Sequence, residues 1–476
     1  MKQMGIKTQK PRVQGVPRRD FLKTIVASGF GGTLVPLSTR SLGAIVGNAS
    51  ASRPNVLYIH SHDTGRYIQP YGHAMPTPNL QRLAQQGILF RQAFSAAPTC
   101  SPSRASLLTG CCPHTNGMLG LAHLGFTMND YKQHIIHTLR AAGYSSTLVG
   151  LQHIAPPEHP EIIGYDKVIK LPRDTAELVA PAAVEFLNTQ PKQPFFLTVG
   201  FFETHRKFSE PGPEDDWRYA QPPAPIPDTP QTRQDIAAFK ATVRKLDWGM
   251  GEVFRALEAN GLAERTLVIA TTDHGISFPA MKCNLTDHGI AVNLIMRGPG
   301  GFTGGKVCDA MISQLDVFPT ICDLLEIDRP SWLQGKSFMR IIREQVKEIN
   351  EEVFAEVNFH SAYEPKRCVR TKPWKYIRHY GDRNHPVLVN CDGGPSKDLW
   401  VEHDWGQRVV DREELFDLIF DPNETRNVIS DASLRTVAGE MRARLDRWMH
   451  ATDDPLLHGP VKAPAGAKVR DPDAKI

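Results

Sequence analysis

Short apolar runs alternate with helix-like stretches along most of this chain, and this alternation is what most constrains its fold. The apolar runs predict strands at 55–60, 145–149, 195–201, 266–271 and 292–296. Between them the sequence predicts helices at 79–86, 138–142, 182–187, 231–260 and 315–325, and Pro181 stands at the start of the helix at 182–187. Strands that alternate with helices indicate an α/β fold with a large mixed, mostly parallel sheet flanked by helices.

Three polar residues each follow the end of a predicted strand. Asp63 comes after the first strand, His205 after the strand at 195–201, and Asp273 after the strand at 266–271. In an open α/β sheet, ligands bind beyond the carboxyl ends of the parallel strands. We therefore expect these side chains to lie at one edge of the sheet and to carry the chemistry of the protein.

The character of the sequence changes after about residue 335, where the predicted strands become short and closely spaced. These strands are predicted at 353–358, 367–370, 375–379 and 414–420, followed by a helix at 434–448. The pattern indicates a smaller subdomain built on an antiparallel sheet. We divide the chain into a first, catalytic α/β domain at 52–345, a C-terminal α+β subdomain at 346–455 and an extended tail at 456–476.

Residues 1–51 predict an export signal followed by a short linker. Arg18 and Arg19 begin the run Arg-Arg-Asp-Phe-Leu-Lys, which resembles the twin-arginine motif, and 24–37 is weakly apolar. That segment is short for a membrane span and contains Pro36, so we expect no stable membrane anchor. The implied route is export of the folded protein by the twin-arginine translocase, to the periplasm or outside the cell. A disordered basic tail is the alternative.

The positive charge of the chain is concentrated in this first segment. The formal net charge is +4, but residues 1–44 hold eight Lys or Arg and one Asp, which leaves +7 there and −3 in the remainder. The remainder has no basic tract of the kind that binds nucleic acid. An anionic ligand would have to be bound by a few individually placed cations.

Residues 100–110 read Cys-Ser-Pro-Ser-Arg-Ala-Ser-Leu-Leu-Thr-Gly and form the most specific motif of the chain. Ser101 and Pro102 favour a helix start, because serine caps a helix and proline suits its first turn. In one interpretation, Cys100 is a plain thiol beside that helix. The pairing of the other cysteines stays open, none has zinc-binding spacing, and most are expected to be buried: Cys111, Cys112, Cys283, Cys308, Cys322, Cys368 and Cys391.

The same run resembles the signature of the type I sulfatases, a family with the alkaline phosphatase fold. In that family the first cysteine of the motif is oxidised after synthesis to formylglycine, an aldehyde. The resemblance implies that a formylglycine-generating or sulfatase-maturating enzyme modifies Cys100, and that the hydrated product attacks the sulfur of a sulfate group. It also implies that Arg104 holds the loop of the nucleophile together and screens its charge.

Further motifs of this family follow in the expected order. The segment 272–275 resembles its metal-binding element, and 195–205 resembles the strand whose terminal histidine meets the leaving group. The resemblance implies that His153 is a general base, that His205 with Lys282 is the acid for the leaving group, and that Lys282 also holds sulfate. It implies one divalent metal with these residues around it: His62, Asp63, Cys100 after modification, Asp273 and His274.

Two residues depart from the family pattern. His62 precedes Asp63 where the family has two adjacent aspartates, and Leu151 replaces the lysine expected before His153. Calcium prefers oxygen ligands, whereas imidazole suits manganese, zinc or iron. Either His62 turns away from the metal or the site favours a different ion. We expect calcium first, with magnesium or manganese as alternatives.

The resemblance is strongest to the heparan N-sulfatases, and it rests on 100–110, 114–118, 227–230, 273–279 and 414–417. It implies removal of sulfate ester or sulfamate groups from a sulfated amino sugar of a glycosaminoglycan or another sulfated polysaccharide. The residues implied as sugar contacts are Glu203, His360 and Arg367. Two other functions stay open: a phosphonate monoester or phosphodiester hydrolase of the same superfamily, and an inactive protein that binds sulfated glycans.

Overall fold

The computed structural model describes residues 53–474 of the chain. The predicted export signal and linker at 1–51 lie outside the described residues, and the twin-arginine route stays a prediction. Across the described part of the chain, no helix is both long enough and apolar enough to cross a membrane.

A mixed sheet of nine strands forms the larger part of the fold. The strands are β1 (Asn55–His60), β2 (Ile88–Phe94), β3 (Ser145–Gly150), β4 (Lys167–Ile169), β5 (Phe195–Gly200), β6 (Thr266–Thr271), β7 (Ala291–Val292), β8 (Leu294–Arg297) and β9 (Lys306–Ser313). Their order is β4-β3-β5-β1-β6-β8-β2-β7, with β9 also paired to β2. The five strands from β4 to β6 are parallel, whereas β8 is antiparallel to both β6 and β2. The predicted α/β class is confirmed.

Helices cover both faces of this sheet, because alternate residues of β1 enter two different cores. The helices are α1 (Pro78–Gln86), α2 (Cys100–Thr109), α3 (Pro113–Asn116), α4 (Ile135–Ala141), α5 (Ala176–Asn188), α6 (Pro230–Ala259), α7 (Asp287–Ile290), α8 (Val317–Leu325), α9 (Met339–Ile342), α10 (Pro395–Glu402) and α11 (Arg435–Ala451). Val56 and Tyr58 pack in a core with α2 and α8, whereas Leu57 and Ile59 pack in a core with α1, α5 and α6. A sheet buried on both faces positions its strand ends rigidly, which suits a site at that edge.

The structure differs from the predicted elements in several places. Strands β2 and β9 are not predicted, because exposed polar residues interrupt their apolar pattern, and the three-residue strand β4 is not predicted either. The predicted strand at 292–296 is divided at Asn293 into β7 and β8. Pro181 lies inside α5 rather than at its start, on the solvent-exposed side of the helix. The helix begins earlier because the Glu203 carboxylate accepts a hydrogen bond from the Ala176 N–H.

The second sheet is antiparallel, as predicted for the C-terminal part of the chain. Its strands are β10 (Glu352–Phe359), β11 (Tyr363–Thr371), β12 (Trp374–His379) and β13 (Glu413–Asp417), paired in that order. Side chains of β2, α7 and β9 share a core with one face of this sheet, and α11 packs with residues of its other face. The predicted boundaries at 345 and 455 stay predictions.

A network of buried charges links α3 to the second sheet and to the segment after α11. Arg367 donates through Nε and Nη2 to the two carboxylate oxygens of Asp454, at 2.6 and 3.0 Å, and neither side chain is exposed. Burial opposes the charge on His114, but the adjacent Glu356 outweighs burial and raises the pKa of His114 to about 11. All donors of Arg367 bond within the protein, so its assignment as a sugar contact is corrected to a structural ion pair.

Asp454→Asn is expected to lower the free energy of unfolding by about 3–5 kcal/mol, because it removes the buried carboxylate that accepts from both Nε and Nη2 of Arg367 and leaves only Glu356, at 3.7 Å, as its counter-charge. Urea unfolding would measure the loss. Asp453→Asn is the matched control, since the Asp453 side chain is 93% exposed, and its effect should stay within about 0.5 kcal/mol. Equal midpoints for the two variants would contradict the importance assigned to this pair.

Candidate active site

The loops after β1, β5 and β6 meet at one edge of the large sheet. The backbone N–H of His62 donates to the carbonyl oxygen of Glu203 at 2.9 Å, and that of Asp63 donates to Oδ1 of Asp273 at 2.8 Å. Nε2 of His205 lies 3.8 Å from Oδ2 of Asp63. The structure therefore brings together the three polar residues that follow predicted strands.

Cys100 is the first residue of α2 and lies within this cluster. Its buried Sγ is 3.3 Å from Nε2 of His274 and 4.0 Å from Oδ1 of Asp63. The Ser103 hydroxyl donates to the carbonyl oxygen of Asp273 at 2.6 Å, which holds the first turn of α2 against the loop after β6. Burial raises the pKa of the Cys100 thiol well above its ordinary value, so an unmodified Cys100 is a neutral thiol and a weak nucleophile.

Four side chains each place a potential ligand atom within 4.8 Å of the others: His62, Asp63, Cys100 and Asp273. Nδ1 of His62 lies 2.7 Å from Oδ1 of Asp63 and 3.4 Å from Oδ2 of Asp273, so this histidine points into the cluster. Burial lowers the pKa of His62 to about 4, although both carboxylates oppose the shift, and its imidazole is neutral at pH 7. This donor set fits a divalent cation, and it contains a nitrogen where the family pattern has an oxygen.

His274 completes the side of the cluster next to Cys100. Its Nδ1 lies 2.9 Å from the carbonyl oxygen of Gly275, so Nδ1 carries a proton and donates it. In the tautomer with this proton on Nδ1, the lone pair on Nε2 faces Cys100, with Oδ1 of Asp63 at 3.3 Å. This orientation leaves Nε2 free to act as a metal ligand.

Two buried cations neutralise the carboxylates of the cluster. Nη2 of Arg104 donates to Oδ2 of Asp273 and to the carbonyl oxygen of Ser61, both at 2.9 Å. Nζ of Lys282 donates to Oδ2 of Asp63 at 2.8 Å. Burial alone would raise the pKa of Asp273, but the Arg104 guanidinium and the nearby histidines hold that pKa far below its ordinary value. Both carboxylates therefore stay ionised in a site without solvent exposure.

His205 and Lys282 lie side by side at the open end of the cluster. Nζ of Lys282 is 3.3 Å from Nε2 of His205. Nδ1 of His205 lies 2.6 Å from the carbonyl oxygen of Arg206, which requires a proton on Nδ1. The other nitrogen, Nε2, is the one that faces the site. About a quarter of the His205 side chain is exposed, so it lies where a substrate would enter.

His153 approaches Cys100 and His62 from the loop after β3, and its nitrogen is within 4.8 Å of both donor atoms. Its ring stacks on His123, with centroids 5.3 Å apart and Nε2 3.1 Å from Nδ1 of that residue. Nδ1 of His153 is buried without a hydrogen-bond partner in the described structure. Burial lowers the pKa of His153 well below its ordinary value, so the ring is neutral and has a lone pair to offer.

Sequence reasoning misses Asp392 and His123, although both contact this cluster. Oδ2 of Asp392 accepts hydrogen bonds from Lys282 at 2.8 Å and from Ser277 at 2.5 Å. Asp392 precedes two glycines in a turn that follows no predicted strand, so no local pattern marks it. His123 lies close to a segment that resembles the heparan N-sulfatases, which is the one signal that could have drawn attention to it.

The two remaining sugar-contact candidates, Glu203 and His360, lie near the cluster, and both side chains are buried. Both carboxylate oxygens of Glu203 are 3.0 Å from the N–H of Ala176, and the residue is only 6% exposed. His360 is buried, and burial lowers its pKa to about 3; the charges that also act on it include Lys282. Its Nδ1 has no partner within the described residues.

Comparison with known proteins agrees with this geometry. The sulfatase family model matches residues 54–327, and the model of the C-terminal part of N-sulphoglucosamine sulphohydrolase matches residues 281–400. The chain belongs to the sulfatase family, whose members are sulfuric ester hydrolases. The predicted family and enzyme class are therefore confirmed.

Individual relatives extend over most of the chain. The human N-sulphoglucosamine sulphohydrolase is 30% identical over 87% of this chain and 94% of its own length. A Δ4,5-hexuronate-2-O-sulfatase of Bacteroides thetaiotaomicron is 26% identical over 84% of this chain and 90% of its own. A solved structure in complex with its substrate D-glucosamine-2-N,6-O-disulfate superposes with a TM-score of 0.67, at 19% identity, over 84% of this chain and 98% of that one. This last similarity supports the fold.

Proposed function

We propose that this chain releases sulfate from the ester or sulfamate groups of a sulfated saccharide, with formylglycine made from Cys100 as its nucleophile. The observation that carries the proposal is the position of Cys100, which is buried at the start of α2 against His274 and Asp63. The human relative is named for N-sulphoglucosamine, which supports a sulfated amino sugar of a glycosaminoglycan as the substrate. When present, the hydrated aldehyde supplies a hydroxyl group for attack on sulfur.

Of the two buried cations of the cluster, Lys282 binds the sulfate group and Arg104 positions the loop of the nucleophile. Lys282 is held between Asp63 and Asp392, and these carboxylates outweigh the effect of burial and keep its pKa well above the ordinary value. A permanently charged ammonium can therefore stabilise the negative charge that develops on sulfate oxygens. Arg104 acts through Asp273 and the backbone, so it positions the loop of the nucleophile.

Two histidines suit the two proton transfers. His205 presents Nε2 to the open side of the site, and a proton there can pass to the leaving oxygen or nitrogen of the sugar. His153 is neutral and has an unpartnered Nδ1, so it can accept a proton from the nucleophile. The separation of a partly exposed acid from a buried base matches the separate positions of leaving group and nucleophile.

Sulfatases in general use one divalent metal together with formylglycine. The residues proposed to hold the metal here are Asp63, Asp273, His274 and the modified Cys100, with His62 adding a nitrogen donor. We propose calcium, with magnesium or manganese as alternatives, and His62 is the residue that would favour manganese. Maturation by a formylglycine-generating or sulfatase-maturating enzyme, and export by the twin-arginine translocase to the periplasm or beyond, belong to the same proposal.

Removal of the metal with a chelator is expected to abolish sulfate release, because the divalent ion that Asp63 and Asp273 would hold could no longer stabilise negative charge on the sulfate group. Elemental analysis of the purified protein should find about one divalent ion per chain. The ion that restores activity after dialysis would identify the metal. Full activity in chelator, with no bound ion found, would contradict the proposed site.

A panel of sulfated mono- and disaccharides, N- and O-linked, tests the function, with sulfate release as the readout and Cys100→Ala as the control. Release from at least one amino sugar is the expected result. Parallel assays with aryl sulfate and aryl phosphonate esters separate the proposal from a phosphonate hydrolase. A large preference for the phosphonate would overturn it, as would tight glycan binding without turnover by a protein whose Cys100 is unmodified.

A further inference from the structure

A cleft of about 680 Å³ opens beside His205, and Cys100 is not among the residues that line it. Its walls come from the start of α5, the loop after β5, and α6. The residues that line it include Arg173, Asp174, Phe202, His205, Lys207 and Lys245. Because His205 is part of both the cleft and the cluster, a ligand in the cleft would be continuous with one held at the cluster. A volume of this size is typical of a small-molecule site.

Two cations of the cleft have no partner among residues 53–474, although most charged groups around them do. Lys245 pairs with Glu177 at 3.2 Å, and the Glu203 carboxylate accepts from the N–H of Ala176. Arg173 and Lys207 are exposed, and neither forms an ion pair or a hydrogen bond through its side chain within that range. These two residues are therefore free to bind an anionic ligand.

The cleft also has the two other features that a sugar needs. The Phe202 side chain is 37% exposed and packs 5.0 Å from the ring of His205, so it offers an apolar surface to the C–H face of a pyranose. Asp174 lines the same wall and can accept hydrogen bonds from sugar hydroxyl groups. Apolar contact, a hydrogen-bond acceptor and two free cations together describe a site for an acidic sugar.

We propose that this cleft binds the saccharide unit next to the one that loses sulfate, and that Arg173 and Lys207 bind an anionic substituent of that neighbouring unit. The substituent is a carboxylate or a second sulfate, both of which these side chains can bind. The inference rests on the proposed function, since it extends the substrate of the same site from one sugar to two. It makes an acidic oligosaccharide, rather than a single sulfated sugar, the preferred substrate.

The test compares sulfated disaccharides whose neighbouring unit carries a carboxylate, a second sulfate or no charge. For the double variant Arg173→Ala/Lys207→Ala, kcat/KM on the charged disaccharides is expected to fall about tenfold more than on the uncharged one, as for loss of one charge-assisted contact. The charged arm with the larger fall identifies the anion. Added salt should weaken the preference of the wild type and leave the variant little affected.

Lys192→Ala is the matched control, because Lys192 is an exposed lysine that precedes β5, at the end of the strand opposite the site. It should leave both rates unchanged. An equal fall on charged and uncharged disaccharides, or no fall, would overturn the inference. Calorimetric titration of the same disaccharides into the wild type and the double variant tests binding separately from catalysis. Absence of sulfate release by the wild type would contradict the proposed function, whereas equal affinities of the wild type and the double variant would contradict binding in the cleft.

Discussion

Cys100→Ala is expected to reduce sulfate release by at least about a thousandfold, since only binding and electrostatic effects remain when a nucleophile is removed. The fold should survive, because the lost Sγ forms weak contacts with Nε2 of His274, at 3.3 Å, and with Oδ1 of Asp63, at 4.0 Å. Sulfate release under saturating substrate measures the first effect, and thermal unfolding measures the second.

Cys322→Ala is the control for this substitution. Cys322 is a fully buried cysteine on α8, so its replacement removes the same atom from the core and leaves the cluster intact. We expect similar unfolding temperatures for the two variants and normal activity for Cys322→Ala. Peptide mass spectrometry of the wild type should show the exchange of sulfur for oxygen, with loss of two hydrogens, at Cys100. Substantial activity in Cys100→Ala would contradict the assigned nucleophile.

Lys282→Ala is also expected to have a large effect, and it should lower both the activity and the stability of the protein. Activity should fall by about 10²–10³-fold, because Lys282 is the fixed cation proposed to bind the sulfate group. The free energy of unfolding should fall by about 3–5 kcal/mol, because Asp63 and Asp392 lose the cation that both contact at 2.8 Å. The pKa of Lys282 is raised, so its stabilising charge is present at all pH values below the ordinary lysine value and is lost only at higher pH.

Lys375→Ala separates the two effects. Lys375 is also a fully buried lysine between two carboxylates, Asp287 and Glu424, but it lies in the second sheet. Its replacement should cost comparable stability and leave the turnover of the folded enzyme unchanged. Lys282→Arg should recover much of the stability and part of the activity, since it restores the charge. If both alanine variants lose activity only in proportion to the unfolded fraction, Lys282 has no role in binding sulfate.

Much of the fold could be predicted because its signals are local. The strands β1, β5 and β6 are largely apolar runs between helices, and β3 has a strand-like run of small and β-branched residues, so their positions and the edge where they end follow from the sequence pattern. Strands β2 and β9 are not predicted. Exposed polar residues interrupt the apolar pattern of both strands. Their pairing joins positions such as Phe90 and Cys308, which are distant in the chain.

The site divides in the same way. The short motif at 100–110 and the residues after the strands identify Cys100, Asp63, His205 and Asp273 without any structure. The sequence does not determine the direction of the His62 ring. In the structure its Nδ1 points towards the carboxylates of Asp63 and Asp273. A side-chain direction depends on neighbours from other strands, which a linear pattern does not contain.

By itself, the sequence determined the fold class and the sulfatase family and pointed to Cys100 as the proposed nucleophile, because strand and helix periodicity and short motifs lie in contiguous residues. Only the tertiary structure decided that Asp392 shares Lys282 with Asp63, across 110 positions of sequence, and that His123 stacks on His153. The structure also shows that Arg367, which the sequence analysis names as a sugar contact, forms a buried ion pair with Asp454. The partner of a charged side chain depends on which distant segments pack against it. The burial of that side chain then decides whether its charge binds a ligand or stabilises the fold.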